Sequence, residues 1–325
     1  MSIFQPIEKL ADLITLNILN LDRPSYAESA INFFVLDLIK ISLMLFVINY
    51  LMAIVRFYLP VEKISALLSK RRFYGMDYLL AAILGMITPF CSCSSIPLFI
   101  GFLGAGIPLG VTFTFLIASP LINESSLFLF PAIFGTDVTI TYNVLGIVIA
   151  MLGGFIIQKL NMTKHINPEL LALSNSTTRQ QFVRSKTPIR KLIKIWWQES
   201  LVITKKVFPY ILLGVAIGSA IHGFVPEDLV GKVLSGNEFL SVPLAVLLGV
   251  PLYANSISVI PIIQALVSKG VPIGTGLAFI TSTVTLSIPE ALILKKAISL
   301  KLLVIFFGIT TIGSILIGWV LNWLY

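Results

Sequence analysis

Two cysteines stand one residue apart in the stretch Thr88-Pro89-Phe90-Cys91-Ser92-Cys93-Ser94-Ser95-Ile96-Pro97, and the 325-residue chain has no others. Thiolates are soft donors suited to copper(I), zinc, cadmium and trivalent arsenic or antimony, whereas alkali cations prefer oxygen. Cys91 and Cys93 are therefore the candidate ligands for a soft metal or metalloid. Two thiolates match the two exchangeable positions of a monoalkylated trivalent arsenical; inorganic arsenite would want a third donor. In a helix, residues i and i+2 point to different sides, while in an extended segment they share a face. Pro89 and Pro97 bound the stretch and break helices, so the sequence predicts an extended segment in which both cysteines meet one ligand. Cysteine also packs as a small hydrophobe at tight helix crossings, and that reading stays open.

The surroundings place this stretch in a bilayer. The chain is 57% hydrophobic and 12% charged, a balance that excludes an ordinary soluble domain and marks a polytopic membrane protein of helices. The net charge of +8 is spread over connectors between apolar runs, which sets membrane orientation and argues against nucleic acid as a partner. Met1 to Asn20 lacks a basic start and a compact apolar core, so no cleavable leader is expected. Backbone freed at a break cannot face lipid and must be buried in protein or line a wet cavity.

Four regions follow from the pattern. Residues 1–30 read as an amphipathic interfacial segment, 31–160 as a first membrane repeat, 161–206 as a basic cytoplasmic linker and 207–325 as a second membrane repeat. In the first repeat an apolar arm from Met76 to Ile87 leads into the break, and a second short arm is expected from Pro97 to Ala105. Ile107 to Phe134 reads as a long span interrupted at Ser119-Pro120 and Asn123-Glu124, and Tyr142 to Leu160 as a plain span. Val207 to Val225 spans again, preceded by an interfacial stretch with Trp196 and Trp197.

Sliding the chain against itself by 164 positions aligns Leu84–Gly110 with Leu248–Gly274 without a gap. The identical pairs include Ser92/Ser256, Ser94/Ser258, Pro97/Pro261, Gly106/Gly270 and Pro108/Pro272. Apolar composition alone does not place serines, prolines and glycines in register, so the halves are repeats. Cys91 is matched by Asn255. The second break is expected between Pro251 and Pro261, with Ser92, Ser94, Asn255, Ser256 and Ser258 supplying oxygen contacts or capping freed backbone. The connector before the first break is basic and its counterpart acidic, which predicts inverted repeats whose broken helices form hairpins meeting at the midplane, as in secondary transporters.

Glu124 and Glu290 each fall in an apolar segment after a break. A carboxylate at membrane depth is costly when charged, which suits it to take up and release protons, and both are candidates for ion coupling. The alternative for Glu290 is a carboxylate near the interface beside Lys295 or one that caps a half-helix. His165, in the linker, receives no role.

The string Thr88-Pro89-Phe90-Cys91-Ser92-Cys93-Ser94 with Pro97, then Gly106-Ile107-Pro108 and Ser119-Pro120-Leu121-Ile122-Asn123, resembles the signature of the ArsP-type, or YraQ-like, permeases. The resemblance runs from about Ile31 to the C-terminus. It implies an inner-membrane efflux permease, not an enzyme, with Cys91 and Cys93 at its centre and a trivalent organoarsenical or another metal(loid) as substrate. Proton coupling is expected from the carboxylates at depth, no cofactor is expected, the bilayer is the partner, and a homo-oligomer is left open. Two other classes remain: a membrane thiol oxidoreductase using the cysteines as a redox pair, and a non-transporting membrane subunit that docks through residues 161–206. No nucleotide-binding motif is present in the sequence, so ATP-driven pumping would need a separate partner.

Overall fold

The computed structural model describes residues 26–58, 75–87, 92–167, 189–224, 238–250, 259–260, 263–264, 267 and 270–325. These residues form helices and turns with no strand among them, so the protein is all-α and polytopic, as its composition requires. Three helices are long and apolar enough to cross a membrane: α1 (Tyr26–Tyr58), α7 (Thr136–Lys159) and α12 (Leu300–Leu324). A further long helix, α8 (Ile189–Phe224), opens the second half. It starts well before the expected span at Val207 and takes in Trp196 and Trp197, so the basic stretch ahead of the span is helical rather than a separate interfacial piece.

Between the long helices lie half-length ones. α2 (Met76–Ile87), α3 (Ser92–Gly104) and α4 (Leu109–Leu121) precede α7, with two single-turn pieces, α5 (Glu124–Phe128) and α6 (Phe130–Phe134), between. In the second half α9 (Glu238–Gly249), α10 (Ile273–Thr285) and α11 (Ile288–Ala297) precede α12. At about 1.5 Å per residue a 13-residue helix is about 20 Å long, short of the roughly 30 Å hydrocarbon core. Such a helix must be enclosed by protein. All thirteen residues of α4 are buried, and α10 is buried except for Ile273 and Val284. These two helices touch each other and form the axis of the fold.

The 164-position repeat extends to element bounds. Leu109–Leu121 recurs as Ile273–Thr285, and the starts of α7 and α12, Thr136 and Leu300, keep the same offset. Pro108 and Pro272, which precede α4 and α10, have nearly the same backbone angles, φ −54°, ψ 141° and φ −56°, ψ 139°. The turns before them need a left-handed residue, and Gly106 and Gly270 supply it at φ 80° and 97°. Contacts recur as well. Gly85 of α2 packs against Phe115 and Ala118 of α4, and Gly249 of α9 against Phe279 and Ser282 of α10.

Helices related by the offset cross in opposite directions. On α1 and α8, Phe46 accepts a hydrogen bond at its carbonyl from Ser200 Oγ (2.9 Å), and Ala53, two turns further on, packs with Leu192 and Trp196. On α7 and α12, Thr141 meets Tyr325 (3.0 Å between hydroxyls), Ile149 lies against Gly313 and Gly153 against Ile309. As one index rises the other falls, so each pair is antiparallel. Ile149 and Gly313 are themselves equivalents, which puts the local two-fold at their contact.

Glycine permits the closest crossings. A Cβ on Gly110 would lie 2.6 Å from the Gly154 carbonyl oxygen and 2.6 Å from Gln158 Cβ, whereas one on Gly308 would meet nothing within 4 Å. Gly110→Ala is expected to lower stability by about 1–3 kcal/mol through overpacking and Gly308→Ala to be nearly neutral, measured as thermal unfolding of the purified protein in one detergent.

Candidate functional site

The first break lies between α2 and α3. Ile87 ends α2, and Ser92, Cys93 and Ser94 form the first turn of α3, which continues through Pro97 to Gly104. This corrects two expectations. The second arm starts at Ser92, not at Pro97: Pro97 is the sixth residue of α3, where it forgoes an amide bond to the Cys93 carbonyl without ending the helix. The extended form predicted for Cys91–Cys93 therefore ends at Ser92, and Cys93 belongs to a helical turn. Pro89, Cys91, Pro251, Asn255, Ser256, Ser258 and Pro261 lie outside the described residues.

The body of α3 is anchored firmly. Ser95, Ile96, Leu98, Phe99 and Phe102 are buried, and Phe99 and Phe102 meet Phe113 and Phe115 of α4 edge-on at centroid distances of 4.9 and 5.2 Å. α3 also touches α11, the helix that carries Glu290. The structure thus brings the helix that begins with Ser92-Cys93 beside the helix of the second-half carboxylate.

The ends of α4 and α10 form the rest of the site. After Leu121, Asn123 caps α5 by accepting from Ser126 N at 3.1 Å, and Glu124 is the first residue of that turn. Asn143 of α7 joins the cap: its side chain donates to the Ser126 carbonyl (3.3 Å) and its Oδ1 lies 3.0 Å from Ser126 Oγ. The interruption in this span falls at Ile122-Asn123, while Ser119-Pro120 stays inside the last turn of α4. In the second half Ser287 caps α11 and accepts from Glu290 N at 3.3 Å. Since Asn123 and Ser287 are equivalents, the counterpart of Glu290 is Ser126 and not Glu124. Asn143 is replaced by Phe307. Glu290 is fully buried, whereas Lys295 is exposed, and Glu290 lies in the first turn of α11, where a carboxylate suits a helix start.

Two features of the site were not anticipated from the sequence. Tyr142 of α7 donates to the Leu121 carbonyl at 2.9 Å and lies 2.9 Å from Thr281 Oγ1, joining the end of α4 to α10. Along α10, Thr281, Thr283 and Thr285 each return a hydroxyl proton to a carbonyl one turn back, at 2.7, 2.8 and 2.7 Å. Thr283 and Thr285 thereby commit their protons and present lone pairs, while Thr281 divides its proton between the Leu277 carbonyl and the Tyr142 hydroxyl. The Ile280-Thr281-Ser282-Thr283 run offers no helical polar stripe in sequence, and only its depth in the fold makes it notable.

The family model described as a predicted permease, ArsP_1, matches residues 26–323. The chain belongs to this permease family. It is a multi-pass membrane protein of a transporter family rather than of an enzyme family. Among curated proteins, UPF0718 protein MJ0584 of Methanocaldococcus jannaschii is 24% identical, covering 84% of this chain and 92% of that protein. UPF0718 protein YcgR of Bacillus subtilis is 38% identical over a shorter stretch, 23% of this chain and 25% of that protein. No solved structure matches. Among the described residues of this permease, no cluster of three or more His, Cys, Asp or Glu side chains is placed to hold a metal ion.

Tyr142→Phe deletes the hydroxyl that serves both the Leu121 carbonyl and Thr281. It is expected to cost about 1 kcal/mol, read as lower thermal stability in detergent, with membrane insertion unchanged.

Proposed function

We propose that this permease is a secondary transporter built of inverted repeats, and that it exports a small thiol-reactive solute, a trivalent organoarsenical or a related metal(loid), across the inner membrane by alternating access. The antiparallel crossing of equivalent helices carries this reading. A chain whose equivalent membrane helices run in opposite directions has the symmetry by which transporters expose one site to either side in turn. The oxidoreductase and docking-subunit alternatives account for neither the repeat nor its direction.

In this proposal the solute enters from the cytoplasm and exchanges two As–OH bonds for As–S bonds to Cys91 and Cys93. The two thiols lose their protons and the leaving hydroxides depart as water. Ser92, Ser94 and the Asn255–Ser258 segment line the site from the two halves, with Pro89, Pro251 and Pro261 shaping the breaks. Release outward requires the reverse exchange, in which the thiolates regain protons. Glu290, buried beside α3, is the side chain suited to relay them, and Glu124 at the start of α5 serves the same path from the first half. The exchange itself is proton-neutral, because water returns both protons on release, so coupling to the gradient is assigned to protonation of Glu290 and Glu124 as the site changes sides.

Everted vesicles offered methylated trivalent arsenic are expected to accumulate it when a proton gradient is imposed. Cys91→Ser and Cys93→Ser should each reduce that uptake by about tenfold or more, the equivalent of ~1.4 kcal/mol or more of lost interaction. Uptake unaffected by either change would make the cysteines packing residues. Glu290→Gln should retain solute binding while abolishing the dependence on the gradient.

Asp137 and Lys301 are exposed equivalents at the starts of α7 and α12. Single cysteines at these two positions, in a background lacking Cys91 and Cys93, are expected to react with an impermeant maleimide from opposite sides of the membrane. Labelling of both from one side would rule out the inversion.

A further inference from the structure

The antiparallel packing of α7 and α12 gathers basic residues at one corner. Lys159 lies in the last turn of α7 and Lys301 in the first turn of α12, so the crossing brings both to the same end of the pair. Lys164, in the short 3-10 turn Met162–His165 after α7, and Lys295, in α11, are exposed at the same junction. The junction is stitched together by backbone. Ile166 and Ile298 form an isolated antiparallel bridge, Asn167 N donates to the Ala297 carbonyl (3.0 Å), and Ser299 N donates to the His165 carbonyl (2.8 Å). His165 Nδ1 lies 2.9 Å from Ser299 Oγ, which gives this linker residue a structural place.

No aspartate or glutamate occurs in residues 138–167 or 291–325. The corner therefore holds exposed like charges together, and the carboxylates of the elements that form it lie elsewhere, Asp137 at the opposite end of α7 and Glu290 fully buried in α11, so the repulsion among the lysines calls for an external anion. Apolar side chains are exposed directly beside the lysines: Leu160 at 49%, Leu300 at 61% and Val304 at 63%. Cations over an exposed apolar surface, at the ends of two membrane-length helices, match one amphiphile with a phosphate head and acyl chains. A zwitterionic lipid brings its own cation into the cluster, so an acidic one fits better.

We propose that this corner binds an acidic phospholipid, its phosphate among Lys159, Lys164, Lys295 and Lys301 and its acyl chains on Leu160, Leu300 and Val304. Lys159 ends the last helix of the first repeat and Lys164 follows it, while Lys295 and Lys301 belong to the second, so the lipid joins the halves at the headgroup level. The site is independent of what the permease transports.

The test uses the full-length protein in nanodiscs of phosphatidylcholine containing a minority of phosphatidylglycerol, released into a native mass spectrometer that counts retained lipid. The native protein is expected to keep phosphatidylglycerol in preference to phosphatidylcholine. In Lys159→Gln/Lys301→Gln that preference should fall by roughly tenfold or more, as expected when two lysines are removed from an anionic headgroup. Lys159→Arg/Lys301→Arg should keep the preference and reports that the variants fold. Lys191→Gln/Lys194→Gln, on exposed lysines of α8, should leave it unchanged. Native-like retention in the Lys159→Gln/Lys301→Gln protein, or equal loss in the α8 variant, overturns the proposal. Complete displacement by inorganic phosphate would also overturn it, since that would show a site for a free anion.

Discussion

A helix too short to cross a bilayer leaves its ends where lipid offers no hydrogen bond, and an unsatisfied amide or carbonyl at that depth costs several kcal/mol. α4 and α10 are such helices, and the packing around them supplies what lipid cannot. Gly110 N donates to Gln158 Oε1 at 2.7 Å, and Thr275 N donates to Asn322 Oδ1 at 3.2 Å. At the other end of α4, the Leu121 carbonyl takes the Tyr142 hydroxyl. Each partner comes from α7 or α12, so the long helices both span the membrane and complete the short ones. Small residues make this reach feasible: Gly154 meets Gly110 and Thr114, and Gly318 meets Gly274 and Ala278, at positions related by the repeat.

Much of this was legible in sequence because the constraint acts on residue types that composition does not hide. Proline, glycine and serine in register over Leu84–Gly110 and Leu248–Gly274 marked the repeat, and the arm Met76–Ile87 has the bounds its apolar run implied. The amide caps were within reach of the same comparison, since Gln158 and Asn322 share the 164-position offset. The departures have a common physical origin. α8 absorbs the basic stretch from Ile189 because helix propensity continues through Lys and Arg, and polarity alone does not end a helix. α3 begins at Ser92 and runs through Pro97, since one lost amide bond does not end a helix that packing holds, so Pro97 marks no boundary. Tyr142 and Thr281 are 139 positions apart, and no local pattern signals a bond between them.

The repeat also separates what the scaffold requires from what the chemistry requires. Positions that hold the helices together are matched in both halves: Pro108 with Pro272, Gly110 with Gly274, Gly154 with Gly318, Gln158 with Asn322. Around the breaks Ser92, Ser94 and Pro97 recur as Ser256, Ser258 and Pro261, but other polar and thiol positions there and at depth do not recur. Cys91 is matched by Asn255, Cys93 by Ile257, Ser126 by Glu290, Asn143 by Phe307, Tyr142 by Phe306, and Thr281 by Ile117. Two-fold packing tolerates such differences only where neighbours can absorb them, and each substitution of a polar for an apolar side chain at depth carries a desolvation cost that needs a return elsewhere. A fold that only needed to be stable would have no reason to keep a buried carboxylate, a hydroxyl run and a thiol pair in one half each.

The asymmetry has a direction. The first half contributes the thiols at its break and a neutral Asn123-Ser126-Asn143 cap; the second contributes a buried acid and the hydroxyls of α10. The chemistry-bearing residues are thus divided between the repeats, and the contact of α3 with α11 brings the helix that begins at Ser92-Cys93 beside the helix that carries the buried acid. The two halves also touch where Ile149 lies against its own equivalent Gly313, so one repeat cannot shift against the other without repacking both contacts.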